Sequence, residues 1–396
     1  MQPVSSKPIL YLILIFLGLT AVAINSAPAI QNIVEAEVFV PNIVEEKPVF
    51  LQQEPKITHI STPEPLYGMY MTSWVAGTPS IMNKVLDTAL ERKVNAIVFD
   101  IKDYTGKIAY PVKDLELAKE NSSEKKIKNL EEFTRLLHSK NLYVIGRVAV
   151  FQDPHFVRKY PEFAVKTSTD TTKIWLDRKG ISWLDAGEEK VWKYIVAIAK
   201  DAHAQGVDEI QFDYIRFPSD GNMKDIYYPV SNGISKSLVI SKFFKYINTE
   251  LFGTGIVTSA DLFGMTTVVK EDMGIGQILE DALINFDYVS PMVYPSHFYT
   301  GWEGISDPQS EPYKVIKISM TRAGERADTL GIPRTKLRPW LQEFGLYGMK
   351  YGRAEILAQI QGTYDSGLTS WLLWDPSNRY ASDLTESENS LTEIID

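Results

Sequence analysis

Between residues 67 and 375 the sequence repeats one pattern eight times: a short apolar run rich in β-forming residues, then a stretch with helical spacing. The runs fall at 67–73, 95–102, 143–150, 209–214, 256–261, 288–294, 337–344 and 370–375. Val191, Ile195, Ile198 and Ala202 line one face of an intervening helix, and Ile234, Leu238 and the residues from Phe243 to Ile247 line another. Asp185, with Glu188 three residues on, reads as the N-cap and capping box of the first of these. Parallel strands need crossovers, and helical crossovers bury both faces of the sheet they make. Repeated eight times, that alternation predicts an α/β fold, a closed (β/α)8 TIM barrel. An open doubly wound sheet competes, but no glycine-rich phosphate loop follows the first run.

A leader is expected ahead of the barrel. Lys7 precedes an uncharged apolar run from Ile9 to Ile24, and no further Lys or Arg follows until Lys47. That asymmetry keeps the N-terminus inside and exports the rest. Residues 1–24 therefore read as a signal peptide or N-terminal membrane anchor, 25–65 as a Pro- and Glu-rich linker, and 66–396 as the barrel. The expected location is extracytoplasmic, secreted or held at a membrane by the N-terminal segment. Two insertions, 103–126 and 151–185, follow strand ends on the face where such barrels build their sites.

Composition removes several chemistries. The chain has no cysteine, which excludes disulfides, thiolate metal sites and a Cys nucleophile. Its five histidines are scattered without a metal-binding spacing, so neither a metal nor another cofactor is implied. A formal net charge of −9 argues against nucleic acid as a partner.

Barrel strands are buried on both faces and should be nearly all apolar. The run Glu209-Ile210-Gln211-Phe212-Asp213-Tyr214 alternates instead, which sends Glu209, Gln211 and Asp213 into the barrel. Buried carboxylates are costly unless paired. Glu209, deep in the barrel, reads as half of a structural ion pair with Arg216 or Arg147; Asp213, at the strand's C-terminal end, reads as functional. Asp100 and Lys102 share one parity at the end of the second run, where Asp103 suits a turn cap or a local ion pair. Asp261 ends the fifth run, next to Asp213 if sequence neighbours are barrel neighbours, with a helix N-cap as its plainer role. Alternation turns Trp340 and Gln342 inward on the seventh run and Glu343 aside; Asp375 suits a turn. Aromatic residues gather at the same ends: Trp74, Tyr104, Tyr214, Tyr294, Trp340 and Trp374. Flat rings suit sugar faces, and adjacent carboxylates and amides suit sugar hydroxyls.

The stretches 95–106 (NAIVFDIKDYTG), 143–153 (YVIGRVAVFQD), 191–218 ending in FDYIRFP, 259–264 (SADLFG), 287–295 (DYVSPMVYP), 338–344 (RPWLQEF) and 374–380 (WDPSNRY) resemble a bacterial family of TIM-barrel glycoside hydrolase-type domains, formerly a domain of unknown function. The resemblance covers most of residues 66–380 in order. It implies a glycosidase-like barrel at a cell surface or envelope, with Asp100, Asp103, Arg147, Asp213, Arg216, Asp261, Tyr294 and Gln342 at its site. Glu343 stands where that pattern has no fixed acid and is held in reserve.

Glycosidic cleavage needs two carboxyl groups, one protonated and one ionised. The expectation is an O-glycosidic hydrolase of an envelope or extracellular polysaccharide. Asp213 would be nucleophile or base and Asp261 the acid; Asp100, Arg147 and Arg216 would tune them, and Tyr294, Trp340 and Trp374 would hold sugar rings. A non-catalytic glycan- or wall-binding barrel is the main alternative. A metal-dependent esterase or deacetylase is disfavoured by the missing histidine clusters.

Overall fold

A computed structural model describes residues 57–380. The expected leader and most of the linker lie outside the described residues, as does the stretch after residue 380. No helix among the described residues is long and apolar enough to cross a membrane.

Eight strands form the barrel: β1 (Tyr67–Met71), β2 (Ala96–Lys102), β3 (Tyr143–Ala149), β4 (Glu209–Asp213), β5 (Val257–Phe263), β6 (Tyr288–Met292), β7 (Trp340–Gln342) and β8 (Trp371–Trp374). They pair in sequence order, all parallel, and β8 closes on β1. Helices Pro79–Glu91, Leu130–Ser139, Glu189–Ala204, Lys236–Leu251, Leu279–Asn285, Pro312–Thr329 and Arg353–Tyr364 make the crossovers. Each expected run thus matches one strand, and β5 runs two residues past the end of its run, to Phe263. β7 is much shorter than its run: Pro339, just before it, has no N–H to give the ladder.

Two apolar layers follow from strand alternation. Outward residues such as Phe99, Val144, Phe212 and Leu341 pack with the helices. Inward residues Leu66, Tyr70, Ala96, Val98, Tyr143, Ile145, Tyr294, Trp340 and Leu372 form a separate inner cluster. Residues 57–65 are tied to the strand N-terminal end: the Ile60 N–H donates to Asp208 Oδ1 at 2.9 Å, and the Thr62 and Tyr143 hydroxyls lie 2.9 Å apart.

Three local expectations need correction. Lys102 does not share the Asp100 face. The β2–β3 register shifts between Asp100 and Lys102, so the lysine pairs in register with outward-facing Val148 and meets Asp153 Oδ2 at 2.9 Å. Gly146 accommodates the shift, since a Cβ there would stand 3.0 Å from the Ile101 side chain. Asp185 is not a helix cap: its carboxylate accepts the backbone N–H groups of Gly187, Val230 and Ser231, and Glu188 caps helix Glu189–Ala204. Glu209 pairs with neither Arg147 nor Arg216. Arg338 Nη1 reaches it at 2.9 Å, a partner from the far side of the barrel that strand order alone does not suggest.

Candidate active site

Inward positions at the C-terminal ends of β2, β3, β4 and β5 carry Asp100, Arg147, Asp213 and Asp261, all buried. The acids converge on Arg147. Its Nη1 donates to Asp100 Oδ1 at 2.5 Å, while Nη2 and Nε donate to Asp213 Oδ2 at 2.5 and 3.0 Å. Nε also lies 3.8 Å from Asp261 Oδ2. Asp213 and Asp261 therefore flank one nitrogen, and their nearest oxygens are no farther apart than those two legs laid end to end. The Tyr70 hydroxyl donates to Asp100 Oδ2 at 2.5 Å. Trp374 stacks on Tyr70, ring centroids 3.8 Å apart, and lies over the Arg147 guanidinium at 4.9 Å.

Asp213 is held on both oxygens. Its Oδ1 accepts the Tyr214 backbone N–H at 2.5 Å, where Tyr214 has φ +54°. That left-handed conformation is costly for a tyrosine and marks the strand exit as constrained by its surroundings. Asp261 has a drier environment. Burial drives its carboxyl well above the ordinary aspartate range, the Asp213 charge adds to this, and Arg147 and the Trp340 N–H only partly oppose it. Trp340 Nε1 donates to Asp261 Oδ1 at 2.7 Å, leaving Oδ2 without a hydrogen-bond donor among the described residues. Burial also raises Asp100, against the pull of Arg147 and Tyr70.

A cavity of about 140 Å³ lies over these groups, lined by Arg147, Asp213, Tyr214, Arg216, Asp261, Phe263, Met292, Tyr294, Trp340 and Trp374. A second, of about 250 Å³, shares the walls Phe263, Met292 and Tyr294 and adds His297 and Phe298. Larger hollows, such as one of about 430 Å³ beside Phe156 and Tyr194, lie among the helices, away from the strand ends. The Tyr294 hydroxyl has no hydrogen-bond partner among the described residues and is not sealed off.

The structure thus brings together Asp100, Arg147, Asp213, Arg216, Asp261, Tyr294, Trp340 and Trp374. Other sequence candidates are occupied elsewhere. Asp103 accepts from Thr105 N at 3.0 Å and Lys126 Nζ at 3.1 Å, as a turn cap with a local ion pair. Gln342 is fully buried, with its amide spent on Ser296 N and Phe344 O. Glu343 makes a two-armed ion pair with Arg92 at 2.8 and 2.7 Å. Asp375 caps a turn, accepting from Ser377 N and Arg379 N. Trp74 and Tyr104 are largely exposed and line neither of the two cavities at the strand ends. Sequence reasoning passed over Tyr70, Phe263 and Met292. Tyr70 was accessible by the same alternation argument, because it shares the inward parity of Gly68 on β1. Phe263 and Met292 carry no polar signal.

A closed parallel barrel with buried acids meeting at its strand C-termini is an architecture that glycoside hydrolases use. The chain belongs to the family described as "Putative glycosyl hydrolase domain", whose model matches residues 68–380. Among solved structures, the glycoside hydrolase domain of PgaB (BpsB) from Bordetella bronchiseptica is similar in fold, with TM-score 0.56 and 14% identity over 83% of this chain and 100% of that one. A hypothetical protein from Ruminiclostridium thermocellum is 35% identical over 49% of this chain and 96% of its own, with TM-score 0.44. A chitinase from Chromobacterium violaceum matches with TM-score 0.46 and 10% identity, over 80% of this chain and 96% of that one. No curated protein matches the chain significantly.

Proposed function

We propose that the chain hydrolyses O-glycosidic bonds of an extracellular or cell-envelope polysaccharide, with Asp261 as general acid and Asp213 as nucleophile or general base. The observation that carries this reading is the electrostatic inequality of two acids flanking one nitrogen. Asp213 accepts two charge-assisted bonds from Arg147 at 2.5 and 3.0 Å, whereas burial raises the Asp261 carboxyl well above the ordinary aspartate range.

In the reaction, protonated Asp261 gives its proton to the glycosidic oxygen as the bond to the anomeric carbon breaks. Asp213 attacks that carbon directly, or takes a proton from the water that does. Arg147 orients Asp213 through Oδ2, and Asp100 with Tyr70 fixes the other arm of the guanidinium. Trp374 and Trp340 offer ring faces and edges to the sugar, and the Tyr294 hydroxyl offers an unpaired polar group. The apolar run from Ile9 to Ile24 behind Lys7, read as a signal peptide or N-terminal membrane anchor, supports an extracytoplasmic setting for the substrate, with a membrane contact if that segment is retained.

The test is cleavage of a broad oligosaccharide panel by the full chain and by Asp213→Asn. The amide leaves an oxygen for Arg147, and Asp100 still neutralises the guanidinium, so the variant is expected to fold. Turnover should fall by about a thousandfold or more. Glycan binding without cleavage, equal in the two proteins, would instead identify a binding barrel.

A further inference from the structure

Two arginines line the cavity, and they are used in opposite ways. Arg147 is neutralised by Asp100 and Asp213. Arg216 has no carboxylate within ion-pair distance among the described residues. Its Nη1 donates to Phe217 O at 3.0 Å and Ser219 Oγ at 3.1 Å, and Nε and Nη2 have no acceptor among the described residues. Neither nitrogen is buried out of reach.

Three rings hold this guanidinium in place: Phe263 at 4.5 Å, Trp183 at 4.9 Å and Tyr214 at 5.7 Å from its central carbon. Cation–π contacts offset part of the cost of removing the charge from water. They offer the outward nitrogens no hydrogen-bond acceptor. An arginine braced by rings, with donors left over, is preorganised for an incoming acceptor, and its planar fork matches a carboxylate in two-point geometry. A neutral hydroxyl would use one donor and leave the charge uncompensated. Arg216 follows Asp213 by three residues and lines the same cavity.

We propose that Arg216 recognises a carboxylate on the sugar bound beside Asp213, so that the substrate class is an acidic, uronate-type polysaccharide. The substrate class rests on the hydrolase reading; the anion site rests on Arg216 alone. Burial lowers the Arg216 pKa from its ordinary value, against the more distant pull of Tyr214, Asp213, Asp220 and Asp177, and a bound carboxylate would reverse that loss.

The experiment uses the full chain, Arg216→Gln and Arg216→Lys, each checked by thermal unfolding. The probes are polygalacturonate, alginate and glucuronoxylan, each beside its carboxyl-reduced neutral counterpart. Cleavage is measured as kcat/KM, and binding as quenching of tryptophan fluorescence. The wild type should favour the acidic member of a pair by about 10- to 100-fold, the range for a hydrogen bond to a charged group. Arg216→Gln should abolish that ratio, and Arg216→Lys, keeping charge without the fork, should restore part of it. Cleavage with equal rates on acidic and reduced polymers, or a preference that survives Arg216→Gln, overturns the inference and leaves the hydrolase reading standing. Arg216-dependent binding of uronates without cleavage supports the anion site and sinks the hydrolase. Neither cleavage nor Arg216-dependent binding on any acidic probe overturns the anion site.

Discussion

Arg147 holds Asp213 through a single carboxylate oxygen: Nη2 at 2.5 Å and Nε at 3.0 Å both donate to Oδ2. Oδ1 is left to the Tyr214 backbone N–H, so the carboxylate plane is fixed from two sides. In the proposed role of nucleophile or base, a carboxylate held in this way needs little reorganisation when it reacts. The same contact makes Arg147 part of the barrel's stability as well as of its chemistry.

Replacing Arg147 by Met should therefore cost about 3–5 kcal/mol, because Asp100 and Asp213 stay buried without their cation. Urea unfolding at neutral pH measures the loss. The loss should shrink in acid, where both carboxyls can take up protons. A variant as stable as wild type at pH 7 would mean that the pair is more hydrated than its burial indicates.

The pH dependence follows from Asp261 and Asp100, whose folded pKa values are raised mainly by burial. A raised folded pKa means that the native state binds the proton more tightly than the unfolded chain. Stability from these two groups is fully present below the unfolded value of about 4 and is lost as pH rises through their folded values. Activity should follow the same direction, with an alkaline limb of kcat/KM above the ordinary carboxylate range as Asp261 deprotonates. Asp261→Asn should abolish that limb and lower cleavage of native linkages by about a hundredfold or more. Dinitrophenyl glycosides, whose leaving group needs no proton, should be far less affected. Equal losses on both substrates would remove Asp261 from the acid role.

Tyr294→Phe deletes a hydroxyl with no partner among the described residues, so stability should change by no more than about 0.5 kcal/mol. If that hydroxyl meets substrate, kcat/KM should fall by about tenfold. Calorimetry and steady-state kinetics on the same preparation separate the two effects.

Glu343 and Glu209 serve as controls. Each is ion-paired within the protein, to Arg92 and Arg338 respectively. Glu343→Gln or Glu209→Gln should cost about 3–5 kcal/mol in unfolding experiments. Turnover per folded molecule should stay within about twofold of wild type for Glu343→Gln. A collapse of activity in a stably folded Glu343→Gln protein would return that residue to the candidate site.

The sequence by itself determined the barrel, because the eight runs and their helical spacings are local patterns set by backbone geometry. It also determined which way Asp213, Trp340 and Gln342 face, since alternation along an unbroken strand is a local rule. Lys102 escaped that rule because the register shift after Asp100 depends on how β2 meets β3. Partnership was decided only by tertiary structure. Arg147 joins Asp100 and Asp213 from the strand between them, and Arg338 crosses the barrel to Glu209, 129 residues away in the chain. Which acid is paired with a cation, which has its pKa raised by burial, and which arginine keeps free donors depends on what else fills the same few ångströms. Burial and Coulomb forces act through space, and no spacing along one chain records them.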